Sequence, residues 1–361
     1  MRLNVRNHTA AKIKQGMFLL IIALTLLASN AYSQVSVNCW KDNSNEGSSR
    51  ISSIDITPSV SRTVYLDTKS MQNALNSAIS ENSVTGNKKS NVIVSIPFPD
   101  GSNKDFYAIE SSIMAPGLAA KYPQIKTYII TSADGSASSG RIDFTQFGFH
   151  AIIFTTDGTV YVDPVSRQDD KIYFSYYKKD FVKAIVPDLG GSCVVDNPAV
   201  RKRIEQKIAN GVKTTSNYLK TYRLALAATA EYTNYYGGTI AGALSGMITT
   251  MNRVNAVYEK ELSIRMVLIP NDTIFIYKNS ATDPYTNDDG EAMLDQNQTT
   301  IDSAIGNASY DIGHVFSTGG GGIAILGAVC YPGYKAQGVT GGPAPIGDPF
   351  DIDYVAHEMG H

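Results

Sequence analysis

The strongest constraint on the fold lies between residues 224 and 270. A compact apolar run, LALAAT at 224–229, is followed by a long helix-compatible stretch, Ile240–Leu262, and then by IRMVLIP at 264–270. Leu244, Ile248, Met251, Val254, Val257 and Tyr258 fall on one stripe, at the spacing of an amphipathic helix. A helix of this length between two strands sits where a crossover must. The alternation continues: residues 273–277 read as a strand and 291–305 as a second amphipathic helix, with Met293, Leu294, Ile301 and Ile305 apolar. DIGHVFS at 311–317 reads as a further strand, so the order is that of an α/β sheet. Four consecutive glycines at 319–322 then lead into an apolar run at 323–329 and a Gly/Pro-rich loop at 332–349.

The sequence before this region has another character. Residues 35–188 alternate short strands and turns with one helix near 71–79, an α+β pattern. NVIVSIP at 91–97, IKTYIIT at 125–131 and 172–177 read as strands. GFHAIIFT at 148–155, Asp157-Gly158 and 160–162 read as a hairpin. His150 lies inside an apolar strand, where a hydrogen-bonded core histidine is expected. LGGSCVVDN at 189–197 breaks the composition, and a basic helix-compatible stretch follows at 199–212.

The first thirty-three residues read as an export address. Arg2, Arg6, Lys12 and Lys14 precede the apolar run MFLLIIALTLLA at 17–28. Ala31 and Ser33 occupy the small-residue positions before a cut at Gln34. The run is about twelve residues, short of the roughly twenty that a membrane span needs. A secreted, extracellular protein is expected, with no stable span after the signal is removed. Lys and Arg number 31 against 33 Asp and Glu, a net charge of -2. That balance gives no general reason to bind nucleic acid.

The last five residues read HEMGH. On a helix, positions i and i+4 share a face, so His357 and His361 can direct two imidazoles at one metal ion, a pair suited to Zn²⁺. Glu358 is rotated by about 100° from His357, which suits it to a metal-bound water better than to the metal. Asp351 and Asp353 stand where helix N-caps are expected.

From 222 to 361 the sequence resembles the reprolysin-like metalloproteases of the metzincin clan, in their bacterial secreted branch. The likeness is carried by LALAAT, NRVNAVYEKEL, VLIP, DIGHVFS, LGAVCYPG and AHEMGH. IPFPDG, ESSIMAPGLAAKYPQIKTY and GFHAIIF resemble the propeptides that precede such domains. The resemblance implies a secreted zinc endopeptidase precursor acting on protein or peptide substrates, with His357 and His361 as zinc ligands and Glu358 as general base. It implies a twisted mixed sheet with long helices, an active-site helix at the end of this chain, and a substrate-binding edge strand best matched by GGIAILG at 321–327, with Ile323, Ala324 and Ile325, although the glycines read equally as a flexible loop. It also implies a third histidine and a methionine turn beyond His361, so the catalytic domain is expected to be incomplete and this chain inactive by itself. The expected division is 1–33 signal peptide, 34–192 propeptide, 193–217 linker and activation segment, and 218–361 catalytic part.

Cys193 is a candidate cysteine switch, with a disulfide or an idle thiol as the alternatives. Cys330 is implied by the resemblance to pair with a cysteine further along. Cys39, beside Trp40, has no clear role. Arg201-Lys202-Arg203 reads equally as a cleavage site and as a solvated helix face. Asp283, Asp288 and Asp289 are candidate Ca²⁺ ligands without EF-hand spacing. His314 reads as structural. Asn271, Asn297 and Asn307 each begin a glycosylation triplet. Two other readings stand beside the leading one: another HExxH zinc hydrolase with a downstream Glu ligand, and a non-catalytic exported binding protein.

Overall fold

The computed structural model describes residues 35–42, 54–84, 90–181, 194–209 and 218–361. The expected signal at 1–33 and Cys193 lie outside the described residues. Ser36–His361 is one compact unit, of mixed α/β architecture and built on two sheets.

The strands of the first sheet are β1 (Val35–Val37), β2 (Trp40–Asp42), β3 (Arg62–Leu66), β4 (Val92–Pro97), β5 (Asn103–Glu110), β6 (Lys126–Ser132), β7 (Ser139–Thr145), β8 (Gly148–Thr155), β9 (Gly158–Ser166) and β10 (Asp169–Tyr177). Their spatial order is β1-β4-β5-β6-β7-β8-β9-β10-β3-β2. From β4 to β10 each strand pairs antiparallel with its sequence neighbours. The expected hairpin closes at Thr155↔Gly158, where Gly158 takes a φ of 127° that other residues rarely adopt.

Successive side chains leave opposite faces of a strand, and both faces are used here. Phe149, Ala151, Ile153, Val160 and Val162 join a core with Met71, Ala74 and Leu75 of helix α1 (Thr68–Asn76). Ile152 and Tyr161 point the other way, into a cluster with Tyr176 and Ala256. Burial on both sides explains why β8 reads as an almost unbroken apolar run. A second short helix, α2 (Pro116–Lys121), joins β5 to β6.

Residues 194–209, in the segment expected as a linker, form β11 (Val194–Val195) and α3 (Pro198–Ala209). The second sheet continues with β12 (Lys220–Ala228), β13 (Ile264–Leu268), β14 (Ile312–Ser317), β15 (Gly322–Ile325) and β16 (Gly338–Gly341), in the order β11-β15-β16-β14-β12-β13. β12, β13, β14 and β16 run parallel, and β15 runs antiparallel to β16. After the short α4 (Ala230–Tyr235), α5 (Ile240–Leu262) makes the expected crossover from β12 to β13, and α6 (Gly290–Ile305) the next from β13 to β14.

Two sequence expectations fail. Residues 273–277 are no strand: Asp272–Phe275 is a 3-10 turn, because the side chain of Asp272 turns inward to accept the Leu226 N–H. The Gly/Pro-rich loop hides β16. Its glycines are tertiary requirements, since a Cβ on Gly338 would strike His314 and one on Gly341 would strike Gly319 and Ser317.

One side of α5 packs on β13 and the other on β7 and β8. Polar side chains around α5 form a largely buried network. Arg253 pairs with Asp163 of β9 and with Asp351, the latter at 2.9 Å. Arg141 of β7 donates to Glu259 at 2.9 Å and to Asn252 at 2.6 Å. Arg265 bridges Glu259 and Glu81. Tyr161 donates to Asp348, which also meets Lys178 at 2.8 Å.

Candidate metal centre

The chain reaches HEMGH through three consecutive helical pieces: α7 (Gly347–Phe350), a π-turn (Asp351–Ala356) and α8 (His357–Gly360). Helix caps were expected at Asp351 and Asp353; neither caps. Asp351 is buried, accepting from Thr250 Oγ1 at 2.6 Å and Arg253 at 2.9 Å. Burial raises its pKa to about 6, against the lowering effect of Arg253. Asp353 faces Lys178 at 3.3 Å. Tyr258 of α5 donates its hydroxyl to the Ala356 carbonyl at 2.6 Å. The wide turn that precedes His357 is thus held from α5 at two points.

The last turn brings together the three residues that the motif singles out. His357 Nε2 and His361 Nε2 are 3.2 Å apart. Candidate ligand atoms of His357, Glu358 and His361 all lie within 4.8 Å of one another. His357 is exposed, whereas the Glu358 side chain is 1% and the His361 side chain 17% accessible. Both Glu358 carboxylate oxygens are buried without a hydrogen-bond partner among the described residues, and His361 Nε2 stands 3.9 Å from the nearer one. Desolvation raises the Glu358 pKa to about 7. The His361 pKa is lowered, first by burial and then by His357.

These residues fit a zinc ion. Tetrahedral ligation with Zn–N of about 2.0–2.1 Å separates two nitrogens by about 3.3 Å, and the imidazoles already stand at 3.2 Å. Two nitrogen donors suit that metal. The buried carboxylate beside them lacks the hydrogen-bonded counter-group that such a charge requires.

Sequence reasoning missed the role of Gly322. A Cβ there would collide with Glu358 Oε1, so this glycine makes the space the carboxylate occupies. The four-glycine run was the only signal. The candidate edge strand Ile323, Ala324 and Ile325 is buried and lies between two neighbours. β16 pairs on one side, with Ile323↔Val339, and β11 pairs parallel on the other, with Val194↔Ala324 and Val195↔Ile325. The strand is joined to the metal turn, because Gly327 N–H donates to the His361 carbonyl at 2.7 Å.

Other candidates serve structure. His150 Nδ1 meets Asp143 at 3.1 Å, and His314 Nε2 meets Thr340 at 2.8 Å with its pKa pushed down to about 3 by burial. Asp283 accepts the N–H of Ala230 and of Tyr285, and Asp289 caps α6 by accepting from Ala292. The three loop acids expected for Ca²⁺ therefore have at least two members engaged by the backbone. Asn297 is fully buried between Tyr285 and Ala336, which closes that triplet to glycosylation. Arg201, Lys202 and Arg203 lie on α3, with Arg201 paired to Asp196 and Arg203 over the Tyr331 ring at 4.8 Å.

A pair of imidazoles one helical turn apart with a buried carboxylate beside them makes this turn a candidate metal centre. The sequence model of the reprolysin-like metallopeptidases of family M12B matches residues 218–361, and this segment is a reprolysin-like metallopeptidase domain. The match implies a zinc-dependent peptidase. Among solved structures the chain is similar to metalloproteinase-II from Bacteroides fragilis. The two share 12% identity at a TM-score of 0.41, over 82% of this chain and 84% of that one. No curated protein matches the chain. No helix among the described residues is long and apolar enough to cross a membrane.

Proposed function

We propose that the protein is the precursor of a secreted, extracellular zinc endopeptidase, with residues 34–192 as propeptide. The observation that carries the reading is the convergence of His357 Nε2 and His361 Nε2 beside the buried Glu358 carboxylate. His357 and His361 would hold the ion, which when bound supplies Lewis acidity toward a peptide carbonyl. Glu358 accepts the proton of the attacking water and returns it to the leaving amine. Its surroundings support this, because no hydrogen-bond donor among the described residues competes for either carboxylate oxygen. The small exposure of Glu358 and His361 keeps bulk water from competing at the base.

Residues 323–325 are suited to pair with an extended substrate, a form of β-augmentation. The parallel pairing of Val194–Val195 on that strand supports latency, because it takes the hydrogen bonds a substrate would use. Cys193 precedes that segment directly in sequence and is proposed as the group that completes latency.

In the full-length enzyme, Glu358→Gln retains zinc and abolishes casein hydrolysis, whereas His357→Ala loses zinc. A Glu358→Gln protein that cleaves casein at the wild-type rate would sink the role given to Glu358. Cys193→Ala is expected to lower latency, and unchanged latency removes that residue from the scheme.

A further inference from the structure

The turn that carries the two imidazoles has an inner face. Val355 and Met359, four residues apart, are buried and share one apolar cluster with Met251, Val254 and Tyr258 of α5. His357 and His361 are also four apart, and on a helix that second pair occupies a different face. α5 is thus the floor on which the metal turn rests. The floor itself is fixed, because α5 packs on β13 on one side and on β7 and β8 on the other.

One polar group rises from this floor. The Tyr258 side chain is buried, and its hydroxyl donates to the Ala356 carbonyl at 2.6 Å. Burial raises its pKa above that of a free phenol, so it stays a donor. The same oxygen lies 3.3 Å from where a Cβ on Gly360 would stand, closer than an ordinary carbon contact. Ala356 directly precedes His357, and Gly360 directly precedes His361. A single hydroxyl therefore sits against the backbone beside both imidazoles. Glycine is a weak helix former, and its place in this last turn is accounted for by the oxygen lying over it.

The position needs such a support. The six residues before His357 wind as a π-turn, a rare form that recurs at functional sites. Beyond it, the His361 carbonyl is held by the Gly327 N–H at 2.7 Å. The turn is thus anchored at its entry by Tyr258 and at its exit by Gly327. Between these anchors the two Nε2 atoms stand 3.2 Å apart, and a binding constellation tolerates displacements of only about 0.5 Å.

We propose that Tyr258 is a positioning residue for the metal ion: its hydroxyl, wedged between the Ala356 carbonyl and Gly360, sets the two imidazoles at ligating separation before an ion arrives. The proposal rests on the reading of His357 and His361 as zinc ligands. It adds to that reading a residue about a hundred positions earlier that touches neither ligand side chain nor substrate and acts through the backbone.

The test is zinc affinity, measured on the metal-free full-length protein by competition with a chromophoric chelator, with the fold of each variant checked by circular dichroism. Tyr258→Phe is expected to bind zinc about tenfold more weakly, the lower end of the loss seen when a group that orients a ligand is removed. Tyr236→Phe is the control. It deletes a bond of the same 2.6 Å length, from a hydroxyl in the same cluster to the Pro345 carbonyl, and is expected to bind zinc as the wild type does. Gly360→Ala pushes the hydroxyl off Ala356 and is also expected to weaken binding. Adding Tyr258→Phe to Gly360→Ala then causes no further loss, because both act on one contact. Wild-type affinity in Tyr258→Phe, equal losses in Tyr258→Phe and Tyr236→Phe, or losses that add in full in the double variant each overturn the proposal and leave the zinc reading intact. A wild-type protein that takes up no zinc overturns the metallopeptidase reading, and the proposal with it.

Discussion

Replacing Arg253 by Met tests what holds the turn beneath the metal centre. Arg253 is 2% exposed and neutralises two carboxylates, Asp163 at 4% and Asp351 at 1%. Removing one partner of a buried ion pair costs about 3–5 kcal/mol, a large part of the roughly 5–15 kcal/mol that holds a domain together. The cost depends on pH, and the sign follows from the folded state. Burial already lifts the Asp351 pKa to about 6 while Arg253 pulls it down. Without Arg253 the folded pKa rises further, but the unfolded value stays near that of a free Asp. Stability is therefore retained below about pH 4 and lost as pH rises through the folded pKa, over a wider span than in the wild type. Urea unfolding at pH 5 and pH 8 measures this, with a larger deficit expected at pH 8. Adding Asp163→Asn and Asp351→Asn to Arg253→Met should recover most of the loss at pH 8. A deficit equal at both pH values, or below about 1 kcal/mol, would refute the reasoning.

Three other outcomes are expected. Asp272 is fully buried, one of its oxygens has no hydrogen-bond partner among the described residues, and burial raises its pKa well above the usual value. Asp272→Asn keeps the bond from Leu226, so it should match the wild type near pH 4 and melt higher at pH 8, where the unfolded wild-type chain is ionised. Gly322→Ala drives a methyl group into Glu358; a stability loss of about 1–3 kcal/mol is expected, with zinc retained and casein cleavage reduced in the full-length enzyme. Tyr258→Phe deletes the bond to Ala356 and should cost about 0.5–1.5 kcal/mol in urea unfolding.

The legible parts of this protein are those with a local period. The stripe at Leu244, Ile248 and Met251 specifies α5, and the residue bounds read for it coincide with the helix, Ile240–Leu262. The imidazole pair was legible too, because a spacing of four on a helix is itself a geometry. Asp351 illustrates the opposite. In sequence it is an acid ahead of a helix, hence a cap. In the fold, Thr250 and Arg253, about a hundred residues earlier, claim its carboxylate. Gly322 and Gly338 likewise read as loop glycines until Glu358 and His314 arrive beside them.

By itself, then, the sequence determined the crossover helix, the strands on either side of it and the spacing of the two imidazoles in HEMGH, each of which carries a local period. Only the tertiary structure decided that Val194–Val195 lies along Ala324 and Ile325, that residues 113–115 complete β13, and that charges from both halves interlock around α5. The physical reason is separation along the chain. Such pairings join residues many tens of positions apart, and no local periodicity records which distant group will occupy a buried edge or neutralise a buried charge.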